Sequence, residues 1–103
     1  MSNLEIANTI KNQLGAKCLF MLGAKNLAGG SNFLSFRIRG SKLANYVKIT
    51  LNISDLYEVE FGKIRGTDYK EVASVCGVYA TELHEIIEAK TGLDTSIGFI
   101  KLQ

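Results

Sequence analysis

The amino-acid sequence predicts an α+β fold: an antiparallel meander sheet of three to four strands, with an N-terminal and a C-terminal helix packed on one face. Three observations carry this expectation. Near the N-terminus, Leu4, Ala7, Ile10, Leu14, Cys18 and Met21 recur at three- and four-residue steps, which puts them on one side of a helix. Between residues 33 and 61, three runs alternate apolar and polar side chains, the period of strands with one buried and one solvated face. After Gly77 the helical spacing returns, with Tyr79, Leu83, Ile86, Ile87 and Lys90 on one side and Thr81, Glu82, Glu85 and Glu88 mostly facing away.

Each element has its local reason. Ser2 or Asn3 can cap the first helix, Glu5 favours its positive end, and the apolar stripe reaches to about Leu22. Gly15 interrupts that stripe, costing about 1 kcal/mol relative to alanine, so a kink or a break into two helices is expected there. Gly23 and Asn26 bracket the stop, and residues 28–31 (AGGS) read as a flexible connector. In the strand at 33–39, Leu34, Phe36 and Ile38 face inward and Ser35, Arg37 and Arg39 outward. At 46–52, Val47, Ile49 and Leu51 oppose Lys48, Thr50 and Asn52; at 56–61, Tyr57, Val59 and Phe61 oppose Glu58 and Glu60. Residues 40–42 and 52–55 supply turn chemistry suited to a meander. A weaker fourth strand is expected at 69–75, reached through 62–66, whose two glycines suggest a turn or bulge. Gly92 stops the last helix. The whole chain, 1–103, reads as one domain, with 97–103 as a flexible tail.

Composition narrows the function classes. With 47% hydrophobic and 21% charged residues the chain is globular, and at this length it can bury roughly two-thirds of its unfolded surface. No run approaches the roughly 18–20 apolar residues that cross a bilayer, and the N-terminus lacks the pattern of a secretory signal, so no membrane association is expected. Two cysteines make neither a disulfide framework nor a zinc site, which points to reduced thiols in the cytoplasm.

Catalytic signals are poor. His84 is the single histidine, and a general base needs an orienting partner and a nucleophile. Glu88 lies four residues on and Cys76 eight residues back. Cys76, ahead of Gly77 at an expected helix start, is where a thiolate could be stabilised, but a buried, inert thiol is the simpler expectation. Cys18 falls on the apolar stripe. No metal-ligand set, no phosphate-binding loop and no cofactor motif is read in the chain, and no enzyme activity is expected.

Charge is more informative. Residues 1–54 carry seven Lys/Arg against one acid, a local +6, and residues 55–103 carry five against nine, a local −4, which together give the net +2. Part of this asymmetry is expected to be consumed by cross-strand ion pairs between Arg37, Arg39 or Lys48 and Glu58 or Glu60, each worth about 0.2–1 kcal/mol. What remains is a candidate basic sheet face formed by Arg37, Arg39 and Lys48 and extended by Lys42, Lys63 and Arg65, with Tyr46 and Tyr69 able to stack as in single-strand nucleic-acid binders. The sequence pI of about 8.6 is below that of a dedicated nucleic-acid domain. Glu82, Glu85 and Glu88 form a second candidate, an acidic helix face able to enter a basic groove.

The stretches GAKN at 23–26, YVKITLN at 46–52, DLYEVEFGKIRG at 55–66, GVYA at 77–80, LHE at 83–85 and TGL at 91–93 carry a resemblance. In them the chain resembles a family of small proteins carried by bacteriophages and plasmids, a family without an assigned biochemical role. The resemblance implies an accessory protein of a mobile genetic element working in the bacterial cytoplasm. With no enzyme signature, the expectation is a binding protein acting on a host or phage protein, such as an inhibitor of a bacterial defence system of the anti-CRISPR kind. The alternative is a nucleic-acid-binding accessory protein using the basic sheet face. A homodimer is a further expectation, since a free sheet edge and a long apolar helix could bury more surface between two copies.

Overall fold

A computed structural model describes residues 5–93. The element order is α1 (Glu5–Leu14), α2 (Ala16–Leu22), β1 (Lys25–Gly29), β2 (Phe33–Arg37), β3 (Tyr46–Leu51), β4 (Tyr57–Arg65), β5 (Asp68–Val78), a 3₁₀ turn (Ala80–Glu82) and α3 (Leu83–Thr91). The strands form one antiparallel sheet in sequence order, β1-β2-β3-β4-β5. The α+β meander with helices at both ends of the chain is therefore the observed architecture, with five strands rather than three or four.

The N-terminal stripe is split at Gly15, which sits at φ 86° and ψ 155°, a backbone region that side-chain-bearing residues avoid. The break lets α1 and α2 each turn an apolar side to the same core: Ala7, Ile10 and Leu14 from α1, Cys18 and Leu22 from α2. These pack with Leu34, Phe36, Val47, Ile49, Val59 and Phe61 from the sheet and Leu83 and Ile87 from α3. The Tyr57 hydroxyl donates to the Gln13 side-chain oxygen at 2.5 Å and ties β4 to α1.

β1 occupies residues expected to be the helix stop, around Asn26, and the start of the connector at 28–31. All five of its residues are exposed, so no apolar alternation marks it in the sequence; its backbone pairing with β2 makes it a strand. β4 continues through Gly62 to Arg65, and the chain reverses at Gly66 and Thr67 rather than across 62–66. Gly66, at φ 59°, takes the first central position of this two-residue hairpin, a position that favours glycine. The irregularities lie on the partner strand: β5 has one extra residue between Glu71 and Ala73, and another between Val75 and Val78. Each bulge reverses the inward–outward phase of the residues beyond it.

The β2–β3 and β3–β4 connections are built by side-chain caps. Ser41 Oγ accepts from the amides of Leu43 and Ala44 and donates to the carbonyl of Thr91, fastening the loop to the end of α3. Asn52 Oδ1 accepts from the amides of Ser54 and Leu56. Gly92 ends α3 in the left-handed conformation, as its position predicts. Tyr79, expected on the buried side of the last helix, is 61% exposed, because it precedes the 3₁₀ turn and lies outside the helical stripe. The expected cap at Ser2 or Asn3, Leu4 of the apolar stripe and the expected tail at 97–103 lie outside the described residues.

Candidate functional site

All three helices contribute to the core on one side of the sheet, which leaves the other face as a surface. Antiparallel register sets its rows of side chains. One row runs Ser35, Lys48, Glu60, Ser74 and the next Lys25, Arg37, Tyr46, Gly62, Glu71, with Phe33, Thr50 and Glu58 alongside. Lys48 Nζ lies 4.6 Å from the centroid of the Phe33 ring, a cation–π geometry. The Tyr46 and Tyr69 rings meet edge to face, with centroids 5.5 Å apart and planes at 81°. Tyr69 lies over Gly62, where a Cβ would overlap its ring, and its hydroxyl donates to Glu60 Oε2. Burial, then the hydrogen bond and charge of Glu60, push the Tyr69 phenol well above its ordinary range.

The predicted basic residues do not share one surface. Arg37, Tyr46 and Lys48 lie together on the uncovered face. Arg39 lies past the end of β2, its amide donating to the Leu22 carbonyl at 3.0 Å and its Cβ against Gly23. Lys63 and Arg65 lie on the opposite, helix-side face of the β4–β5 hairpin, since they alternate with Gly62 and Ile64, which share Tyr69's side. Register places Lys48 opposite Glu60, the placement the expected ion pair requires, whereas Arg37 stands between Lys25 and Tyr46.

The acidic set is also divided. Glu82 Oε1 accepts from the Tyr79 amide at 2.9 Å and caps the 3₁₀ turn. Glu88 is half-buried and close enough to Cys18 to raise its thiol; Glu85 is exposed. Cys76 is exposed within β5, not at a helix start, because the strand runs on to Val78. Cys18 is buried, and burial followed by the charge of Glu88 pushes its thiol up to about 11. His84 Nε2 donates to the Leu14 carbonyl at 2.8 Å, satisfying the C-terminal end of α1. Among the described residues, no group of three or more His, Cys, Asp or Glu could hold a metal ion, and no helix is long and apolar enough to cross a membrane.

Phe33, Lys25 and Glu71 were missed as members of the uncovered face, and Lys70 as a partner of Lys63. Counting back one residue from Leu34 would have placed Phe33 outward. Nothing local reveals Lys70 or Glu71, because the reversal at Gly66 and Thr67 sets their sides by pairing Lys70 with Lys63 and Glu71 with Gly62. No family model, curated protein or solved structure matches the chain.

Proposed function

We propose that this chain is a non-enzymatic binding protein of a phage or other mobile element, which docks on a host or phage protein through the uncovered sheet face. A bacterial defence complex in the host cytoplasm is the kind of target such a protein would block. The observation that carries the reading is the composition of that face. The aromatic residues Phe33, Tyr46 and Tyr69 stand among Lys25, Arg37 and Lys48 on one side and Glu58, Glu60 and Glu71 on the other. Aromatic anchors ringed by charges of both signs suit a protein surface, where complementary potentials set register and exclude wrong partners. A phosphate backbone would meet as many acids as bases there, so nucleic acid suits this face less well.

The test is affinity purification of the tagged chain from infected cells, with mass spectrometry and nucleic-acid analysis of the same eluate. A protein partner is expected with the wild type and is expected to be lost with Tyr46→Ala combined with Lys48→Glu. Absence of a stable protein partner, or capture indifferent to these substitutions, would overturn the reading.

A further inference from the structure

The β4–β5 hairpin outruns the rest of the sheet. β3 begins at Tyr46, which pairs with Gly62. Beyond that point the side chain of Asn45 stands in for a strand, its Nδ2 donating to the Ile64 carbonyl at 3.0 Å and its Oδ1 accepting from the Ile64 amide at 2.7 Å. The ribbon past Gly62 is therefore held firmly at its root and extends roughly 10 Å further at the strand rise of about 3.4 Å per residue.

Its helix-side face concentrates positive charge. Lys63 and Lys70 are direct cross-strand partners, and Arg65 and Asp68 are the next pair on the same side. Like charges placed directly opposite each other on an antiparallel ribbon destabilise it. A sheet that alternates charges for solubility would put an acid in one of those two places. Lys63, Arg65, Asp68, Tyr69 and Lys70 line a groove of about 350 Å³ at the hairpin tip. Arg65 has a carboxylate across the ribbon, while the two lysines face each other as compact point charges, the form in which lysine serves phosphate.

We propose that this groove, between Lys63, Lys70 and Arg65 at the hairpin tip, binds the phosphate backbone of a nucleic acid. The ammonium groups of Lys63 and Lys70 converge on one phosphate. Arg65, two residues along the strand, meets a neighbouring one, since alternate side chains on a strand are about 6.6–6.8 Å apart. The three cations of the site lie off the uncovered face, with which the groove shares Tyr69, and the proposal does not rest on the reading of that face.

Fluorescence anisotropy with a labelled oligonucleotide, single-stranded and then duplex, tests the proposal on the full chain. The wild type is expected to bind at low salt with an affinity that falls as salt rises. Lys63→Ala with Lys70→Ala is expected to weaken binding at least about tenfold and, since the two ammonium groups share one phosphate, to reduce the slope of log affinity against log salt by about 0.7–0.9. Lys70→Glu is expected to abolish binding while leaving the fold at least as stable, since it places opposite charges across the ribbon. Lys11→Ala with Lys17→Ala removes the same charge from exposed helix positions and is expected to change affinity much less. No binding by the wild type, or equal losses for the two double variants, would overturn the proposal. Displacement of the oligonucleotide by polyglutamate at equal charge would assign the groove to an acidic peptide and overturn it too.

Discussion

His84 Nε2 donates to the backbone carbonyl of Leu14 at 2.8 Å, so the single histidine of the chain closes the end of α1 from the start of α3. A carbonyl at a helix C-terminus has lost its intrahelical partner, and a side-chain donor replaces it. The bond joins elements 70 residues apart and holds both helices to the same core. His84→Ala is expected to lower stability by about 0.5–1.5 kcal/mol, the net worth of one such bond. The corresponding loss in Tm is roughly 4–8 °C per kcal/mol for a domain of this size. Thermal denaturation followed by circular dichroism measures it, and partner capture by the folded variant should be unchanged.

Gly15→Ala is expected to act against helix propensity. In a helix interior the change would stabilise by about 1 kcal/mol. Here φ 86° and ψ 155° lie in a region that an alanine occupies at a cost of about 1–3 kcal/mol, although no atom lies within 4 Å of the added carbon. Loss of stability in urea denaturation would establish that the break between α1 and α2 is required by the packing; a gain would show that one continuous helix is tolerated.

Gly62→Ala is expected to cost about 1–3 kcal/mol by overpacking, because the new methyl occupies the space of the Tyr69 ring. Displacing that ring also breaks its hydrogen bond to Glu60 and its edge contact with Tyr46. In a Tyr69→Ala background the same glycine substitution should cost far less. A double-mutant cycle by chemical denaturation reads the difference, and additive effects would contradict this packing.

The two cysteines should separate in reactivity. Cys76, exposed on β5, is expected to react at once with an aromatic disulfide reagent at neutral pH, and Cys18 only as the protein unfolds. Folding favours the protonated Cys18 thiol, raised from its ordinary 9.0 to about 11. Its contribution to stability is therefore full below pH 9 and is lost as pH rises from there through about 11. Burial raises the Tyr57 phenol too, against a smaller lowering from Gln13, so it acts in the same direction. Denaturation midpoints measured across this alkaline range should fall, and Cys18→Ala should flatten the early part of the fall.

Much of the fold is legible in the sequence for one reason: burial on a single side imposes a period. Leu34, Phe36 and Ile38, then Val47 and Ile49, then Tyr57, Val59 and Phe61 alternate because each inward position joins the same core. Ala7, Ile10, Leu14 and Cys18 show the helical period for the same reason, and Gly15 marks where one helix cannot serve the whole stripe; beyond it α2 buries Leu22, while Met21, expected on the stripe, is half-buried. β1 is illegible because nothing in it is buried; its backbone bonds to β2 leave no mark on residue choice.

The candidate sites lie beyond that limit. Sequence by itself determined which residues are charged or aromatic, and that the first half of the chain is basic and the second acidic. Tertiary structure decided which of them meet. Strand pairing set Lys48 over Phe33 and opposite Glu60, and chain reversal at Gly66 set Lys63 against Lys70 on the other side of the ribbon. The same turn fixed which side of β5 carries Asp68, Lys70 and Glu71, and the bulge after Glu71 reset the phase of the residues beyond it. Periodicity reports only the environment each residue faces, whereas register and bulges are properties of two strands at once, settled by the hydrogen bonds between them.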